Sequence, residues 1–276
     1  MLRGVRTSPL GAPEVPGAPY SVWVLWGGHS RPHPDGTLSA DGSVTLVRGG
    51  GGPGGPVTAL VDTGGPWDRE RLLRGLSERG ASPRDVTHVV CTHGHSDHVG
   101  NINLFPAATL VVGCDISRGA GLYLRHGLAE GRSYVIHPGQ LEVMATPGHT
   151  LNHVSLVVRD TALGTVVVAG DLFEKEEDEE EWRTLSEDPA KQERSRRRVL
   201  AMADVIVPGH GPPFRVFREW GEGDVPRGEE EEEEEGGGAE GDGREGRGDN
   251  PGGGGSPGDV PEEEEEENAT GDVLKG

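Results

Sequence analysis

Four side chains of metal-ligating type fall within six residues in Thr92-His93-Gly94-His95-Ser96-Asp97-His98. His93 and His95, two apart on an extended segment, point to one side and can grip one metal ion, while Asp97 and His98 aim at a neighbouring position. Gly94 lets the backbone bend tightly between them. Three further candidates repeat one pattern, a β-branched run, a glycine-bearing turn and one ligand-type side chain. His149 follows Val143-Met144-Ala145 through Thr146-Pro147-Gly148, Asp171 follows Val166-Val167-Val168-Ala169 through Gly170, and His210 follows Val205-Ile206-Val207 through Pro208-Gly209. Each sits where a rigid strand is expected to end, which suits a site whose ligands must be held in place. Imidazole nitrogens and carboxylate oxygens without cysteine suit zinc in a catalytic site, and iron or manganese could use the same set.

Two more residues belong to the expected surroundings. Asp62, at the end of Val57 to Val61, is expected to orient ligand histidines from behind, and His153, four residues after His149, is a second candidate for that role. His29 and His33 lie in a Pro/Gly-rich stretch that reads as a loop, His88 sits within an expected strand, and His126 and His137 have no partner motif, so all five read as structural or surface residues.

The elements that must position these residues are mostly strands. Tyr20 to Trp26, Ser43 to Val47, Val57 to Val61, Val86 to Cys91, Thr109 to Val112, Leu141 to Ala145, His153 to Val158, Thr165 to Ala169 and Val205 to Val207 have the β-branched character of strands. Gly49 to Gly55 reads as a flexible loop, and without a Lys-Ser or Lys-Thr it is no phosphate cradle. Pro66 to Arg79, with Leu72, Leu73 and Leu76 on one face and Gly80 after its end, predicts an amphipathic helix. A second is expected over Pro189 to Met202, and a helix start at Val99-Gly100-Asn101. Many strands with few helices imply two packed sheets covered outside by helices.

Composition sets the limits. The chain has 276 residues and a formal net charge of −21. From Gly221 onward it carries 21 acidic and 4 basic side chains among mostly Gly, Glu, Pro and Asp, so this stretch is expected to be a disordered acidic tail. Residues 1–19, rich in Pro and Gly, read as a flexible lead-in, which leaves 20–220 as the folded domain. The apolar run Tyr20 to Trp26 is far short of the roughly 20 residues that span a bilayer. Cys91 and Cys114 are too few for a disulfide framework, so two reduced thiols in cytosol or nucleus are expected.

His-x-His-x-Asp-His followed by a separate His, Asp and His resembles the signature of the metallo-β-lactamase superfamily, in the order of its glyoxalase II branch. The resemblance covers roughly Tyr20 to Val216. It implies an αββα sandwich with two zinc ions at one edge, the first held by His93, His95 and His149, the second by Asp97, His98 and His210, and Asp171 bridging both. Two ions about 3.5–4 Å apart would share a water that loses its proton near neutral pH and attacks a carbonyl carbon or phosphorus. Asp97 would also orient that nucleophile and move protons.

Fold and metals suit thioesters, lactams, lactones and phosphodiesters alike. The acidic sequence after Gly221 does not resemble the helical glutathione-binding domain of the glyoxalase II branch. Only 39 positions separate Asp171 from His210, too few for the domain that the superfamily's large nucleases insert. Four segments, Leu60 to Trp67, Thr165 to Asp171, Ser186 to Ala190 and Val207 to Phe214, resemble a vertebrate member of the superfamily. That similarity implies an endoribonuclease cutting the 3′ region of replication-dependent histone pre-mRNA, acting on single-stranded RNA as a homodimer in cytosol and nucleus. Glu174 to Glu181, with seven acids and one lysine beside Asp171, would repel phosphates. Arg194, Arg196, Arg197 and Arg198 are the counterweight, with Arg194, Arg197 and Arg198 on neighbouring helical positions as candidate phosphate contacts. The alternatives are a thioesterase or lactonase on a small metabolite, and a non-enzymatic protein whose acidic tail binds basic partners such as histones or chaperones.

Overall fold

A computed structural model describes residues 4–52, 55–178 and 180–218. The tail expected from Gly221 onward lies outside the described residues. In chain order the first strands are β1 (Val5–Pro9), β2 (Glu14–Val15), β3 (Tyr20–Trp26), β4 (His29–Pro32), β5 (Leu38–Asp41), β6 (Val44–Gly52) and β7 (Gly55–Val61). Helix α1 (Arg69–Glu78) precedes β8 (His88–Cys91), and the short α2 (Ser96–Val99) precedes β9 (Thr109–Val112), β10 (Asp115–Arg118), β11 (Leu122–Tyr123) and β12 (Tyr134–His137). Then come β13 (Leu141–Ala145), β14 (Val154–Thr161), β15 (Gly164–Gly170), α3 (Glu181–Thr184), α4 (Pro189–Met202), β16 (Val205–Pro208) and β17 (Phe214–Arg218).

One sheet runs β1-β17-β16-β15-β14-β13-β12 and the other β11-β10-β9-β8-β7-β6-β3-β2, while β4 and β5 form a separate ribbon. Side chains alternate between faces along a strand, and that period builds four layers. Val166 and Val168 of β15 and Leu156 and Val158 of β14 meet Ala59 and Val61 of β7 and Val90 of β8 in the core between the sheets. The intervening Val167, Ala169 and Val157 face outward, where Val199 and Leu200 of α4 and Ala203 just after its end cover them. On the opposite sheet Leu46, Leu60 and Val89 face outward and meet Leu72 and Leu76 of α1.

All nine expected strands are present, and Pro189–Met202 forms a helix as expected, with the Asp188 carboxylate accepting the Lys191 N–H at its start. Four expectations are corrected. The lead-in over 1–19 is woven into both sheets: β1 pairs antiparallel with β17 and β2 with β3, burying Val5 and Val15. Proline is tolerated there because both strands lie at sheet edges. The glycine-rich loop is instead the hairpin end of β6 and β7, with Gly49 paired to Val57 and Gly52 to Gly55. A Cβ on Gly49 would lie 2.0 Å from the Pro19 carbonyl oxygen and 2.4 Å from the Tyr20 ring, so close packing requires glycine there. The segment holding His29 and His33 contributes the ribbon β4–β5, His29 paired with Asp41. The helix expected at Val99 starts three residues earlier, so Asp97 and His98 ride on α2 itself.

Candidate metal centre

Strands β7 and β8 are parallel neighbours in one sheet, and β15 and β16 are parallel neighbours in the other. The loops that leave their C-terminal ends meet, together with the loop after β13. The end of β8 supplies His93 and His95, α2 supplies Asp97 and His98, and the loops after β13, β15 and β16 supply His149, Asp171 and His210.

Every expected ligand is brought into one cluster centred on Asp171. His93, His95, His149 and Asp171 form one group whose ligand-type atoms all lie within 4.8 Å of one another, and Asp97, His98 and His210 form a second. Asp171 Oδ2 is 3.1 Å from His210 Nε2, 3.3 Å from His149 Nε2 and 3.5 Å from His93 Nε2, while its Oδ1 is 3.2 Å from His98 Nε2. His95 Nδ1 lies 2.8 Å from His93 Nε2 and 3.2 Å from His149 Nε2. Asp97 Oδ2 is 3.7 Å from His98 Nε2 and 3.9 Å from His210 Nε2. All are buried except His95, which is exposed and marks the open side of the cluster.

The surroundings hold the rings from behind. Asp62 takes the expected place: its Oδ2 accepts the His98 Nδ1–H at 2.9 Å, and its Oδ1 accepts the Thr92 N–H at 2.7 Å. The His210 Nδ1–H donates to the Asp41 carbonyl at 3.1 Å, and His93 Nδ1 lies 3.1 Å from Thr92 Oγ1. His153 stacks on His93 with ring centroids 5.3 Å apart, and its Nδ1 is 3.0 Å from Thr146 Oγ1. Burial and the neighbouring His149 bring the His153 imidazole down to about 3, so it packs as a neutral ring.

Helix α4 holds two loops of the seven-stranded sheet, those that carry His149 and Asp171. Gln192, Ser195 and Arg196, at positions i, i+3 and i+4, share one helix face. The Gln192 amide donates to the Asp171 carbonyl at 3.0 Å, the Ser195 hydroxyl to the Pro147 carbonyl at 2.8 Å and the Arg196 guanidinium to the Leu172 carbonyl at 2.8 Å. Arg196 therefore does not belong to a surface stripe. Arg194, Arg197 and Arg198 are exposed, and Arg197 pairs with Glu193 at 2.7 Å.

Glu174 was missed. In the sequence it heads a solvated acidic run, three residues after Asp171, and nothing in that run distinguishes it. In the structure it is buried, with Oε1 3.8 Å from His149 Nδ1 and Oε2 3.9 Å from His210 Nε2. Burial and the Asp171 charge push its carboxyl up to about 8. Asp178, in the same run, is also buried and accepts two bonds from Arg196 at 2.7 and 3.0 Å.

The donor set fits a metal. Asp97 Oδ2, His98 Nε2 and Asp171 Oδ1 are buried and have no hydrogen-bond partner among the described residues, an expensive arrangement unless another group engages them. Burial would raise the Asp171 carboxyl, but His98, His210 and His93 hold it well below the usual carboxylate range. Burial likewise lowers His210, yet the Asp171 charge and hydrogen bond outweigh that and push it up to about 9. The anionic centre thus draws positive charge to itself, and a cation coordinated by these nitrogens and oxygens supplies it.

Comparison with known proteins agrees with this geometry. Residues 40–210 match the model of the metallo-beta-lactamase superfamily. The metallo-beta-lactamase domain-containing protein 1 of Homo sapiens is 56% identical over 243 residues, covering 78% of this chain and 90% of that protein. Its counterpart in Xenopus laevis is 54% identical over 214 residues, covering 77% and 89%. Among solved structures, a B. thuringiensis AiiA mutant with N-decanoyl-L-homoserine bound at its active site aligns with a TM-score of 0.52 at 21% identity, over 71% of this chain and 94% of that one. At that identity the likeness concerns the fold alone. With its two packed sheets, flanking helices and His/Asp clusters able to hold metal ions, the chain belongs to the metallo-β-lactamase superfamily of metal-dependent hydrolases.

Proposed function

We propose that the chain is a two-zinc hydrolase, with His93, His95 and His149 holding one ion, Asp97, His98 and His210 the other, and Asp171 shared. We further propose that its substrate is single-stranded RNA, cut in the 3′ region of replication-dependent histone pre-mRNA by a homodimer of cytosol and nucleus. The observation that carries the metal reading is the convergence on Asp171, whose Oδ2 lies within 3.5 Å of imidazoles from both groups, His93, His149 and His210, while its Oδ1 faces His98 at 3.2 Å. The substrate reading is supported by the four segments that resemble a vertebrate member of the superfamily.

Zinc ions bound here would supply Lewis acidity toward the substrate oxygen and ease the deprotonation of a water near neutral pH. The chain's own residues do the rest. Asp171 fixes the spacing of the two groups, and Asp62 and the Asp41 carbonyl set the rings of His98 and His210. Asp97, whose Oδ2 faces His98 and His210, would hold the second ion through that oxygen and, as a carboxylate, would also orient the attacking water and move its proton. Substrate enters on the side of the exposed His95, because the other expected ligands are buried.

The test is cleavage of a labelled RNA from a histone pre-mRNA 3′ end by zinc-loaded protein, beside His95→Ala, a thioester and a lactone. RNA cleavage that His95→Ala abolishes is the expected outcome. Intact RNA with turnover of the thioester or lactone would instead make this a small-metabolite hydrolase.

A further inference from the structure

Among the described residues, His149 is the one buried ligand-type imidazole of the cluster whose remote nitrogen has no settled partner. His98, His210 and His93 each present Nε2 to the centre and have Nδ1 held, by Asp62, by the Asp41 carbonyl and beside Thr92 Oγ1. His149 presents Nε2 to Asp171 and His95, so its Nδ1 points away from the centre, and that atom is buried without a hydrogen-bond partner among the described residues. Facing it at 3.8 Å is Glu174 Oε1, equally buried and equally unpartnered. A donor and an acceptor, each lacking a partner, thus stand within about an ångström of hydrogen-bond distance, a gap that a small rotation closes and that catalytic sites commonly tighten when loaded.

The place of Glu174 is fixed from two sides. Its N–H donates to Asp178 Oδ2 at 2.7 Å, and its carbonyl accepts the His210 N–H at 2.8 Å. Asp178 is in turn gripped by the Arg196 guanidinium from α4, which lies 4.2 Å over the Phe173 ring. A continuous path therefore runs from α4 through Arg196, Asp178 and Glu174 to His149.

The geometry points to Glu174 as a positioning residue of the metal centre: its side-chain oxygen accepts the His149 Nδ1–H, fixing the tautomer that leaves the Nε2 lone pair facing the centre, and Asp178, itself gripped by Arg196, holds the Glu174 backbone in place. An outer carboxylate on a ligand histidine sets ring direction and raises its basicity. The inference rests on the metal-centre reading and adds to it a residue that is not itself a ligand.

The test uses the full chain stripped of metal and titrated with Co²⁺, read by calorimetric stoichiometry and by the visible spectrum of the bound ion. Glu174→Gln is expected to bind as many ions as the unaltered protein, with affinity at one position lowered about 10–100-fold and a changed spectrum there. Asp178→Asn, which leaves Glu174 in the chain, is expected to weaken the same position by less, and it serves if Glu174→Gln does not fold. Unchanged affinity and spectrum in the folded variants would overturn the inference. So would the loss of one ion from the stoichiometry of Glu174→Gln, because that would make Glu174 a ligand beside Asp171 and His210. An unaltered protein that takes up no Co²⁺ would remove the metal-centre reading itself.

Discussion

The two sheets furnish the centre in opposite ways. The eight-stranded sheet delivers four ligand-type residues on one short segment, His93 to His98, and needs one main anchor, Asp62, which ties that segment to β7. The seven-stranded sheet delivers three, His149, Asp171 and His210, from the ends of three strands, and these must be brought into register from outside. Helix α4 does this for the loops of His149 and Asp171 through Gln192, Ser195 and Arg196, and the His210 N–H joins them at the Glu174 carbonyl. A contiguous segment inherits its geometry from one backbone turn. A dispersed set depends on a helix that contributes no ligand.

That contrast can be broken most forcefully at Asp171, the residue that both groups share. Asp171→Asn is expected to lose both ions and to lower hydrolysis by roughly 10³-fold or more, well beyond the 10–100-fold typical of an outer partner. Retention of one tightly held ion, measured by elemental analysis, would show that the groups are independent.

Smaller effects should separate the two anchors. Asp62→Ala is expected to weaken one ion about 10–100-fold and, by leaving the buried Thr92 N–H without its acceptor, to cost about 1–3 kcal/mol of stability. Gln192→Leu strips the Asp171 and Leu172 carbonyls of a donor and should weaken metal binding only a few-fold, about the same for both ions because Asp171 serves both. If Gln192→Leu acted on one ion alone, α4 would be serving one group rather than the shared carboxylate.

The last expected effect is on pH. In the metal-free protein His210 keeps its proton up to about 9, whereas a metal requires the neutral ring. Binding at the His98 and His210 side should therefore release a proton, and affinity should rise by up to about tenfold per pH unit between 7 and 9, flattening above. The sign for stability is the reverse. The charged His210 stabilises the metal-free fold below its ordinary value near 6.5, and that contribution fades as pH climbs through about 9. Metal affinity that stayed flat from pH 7 to 9 would place His210 outside the centre.

The same contrast explains how much the sequence revealed. The seven expected ligands were legible because four cluster in six positions and the other three recur after a β-branched run and a glycine. Asp62 was legible as a carboxylate at a strand end. Glu174, Gln192 and the Asp41 carbonyl were not, because their roles depend on burial and on contacts across 21 to 169 positions of chain. The strands at the margins escaped for a related reason. Residues 5–9 lack strand character of their own and pair because β17 offers an open edge, and the glycines after Val47 form strand because Gly49 must pass close to Pro19 and Tyr20.

The most direct test of the central claim is diffraction from zinc-grown crystals of the full chain, with data collected on either side of the zinc absorption edge. Two anomalous peaks are predicted, one among His93, His95 and His149, the other among Asp97, His98 and His210, both in contact with Asp171. A single peak, or peaks that leave Asp171 untouched, would contradict the account.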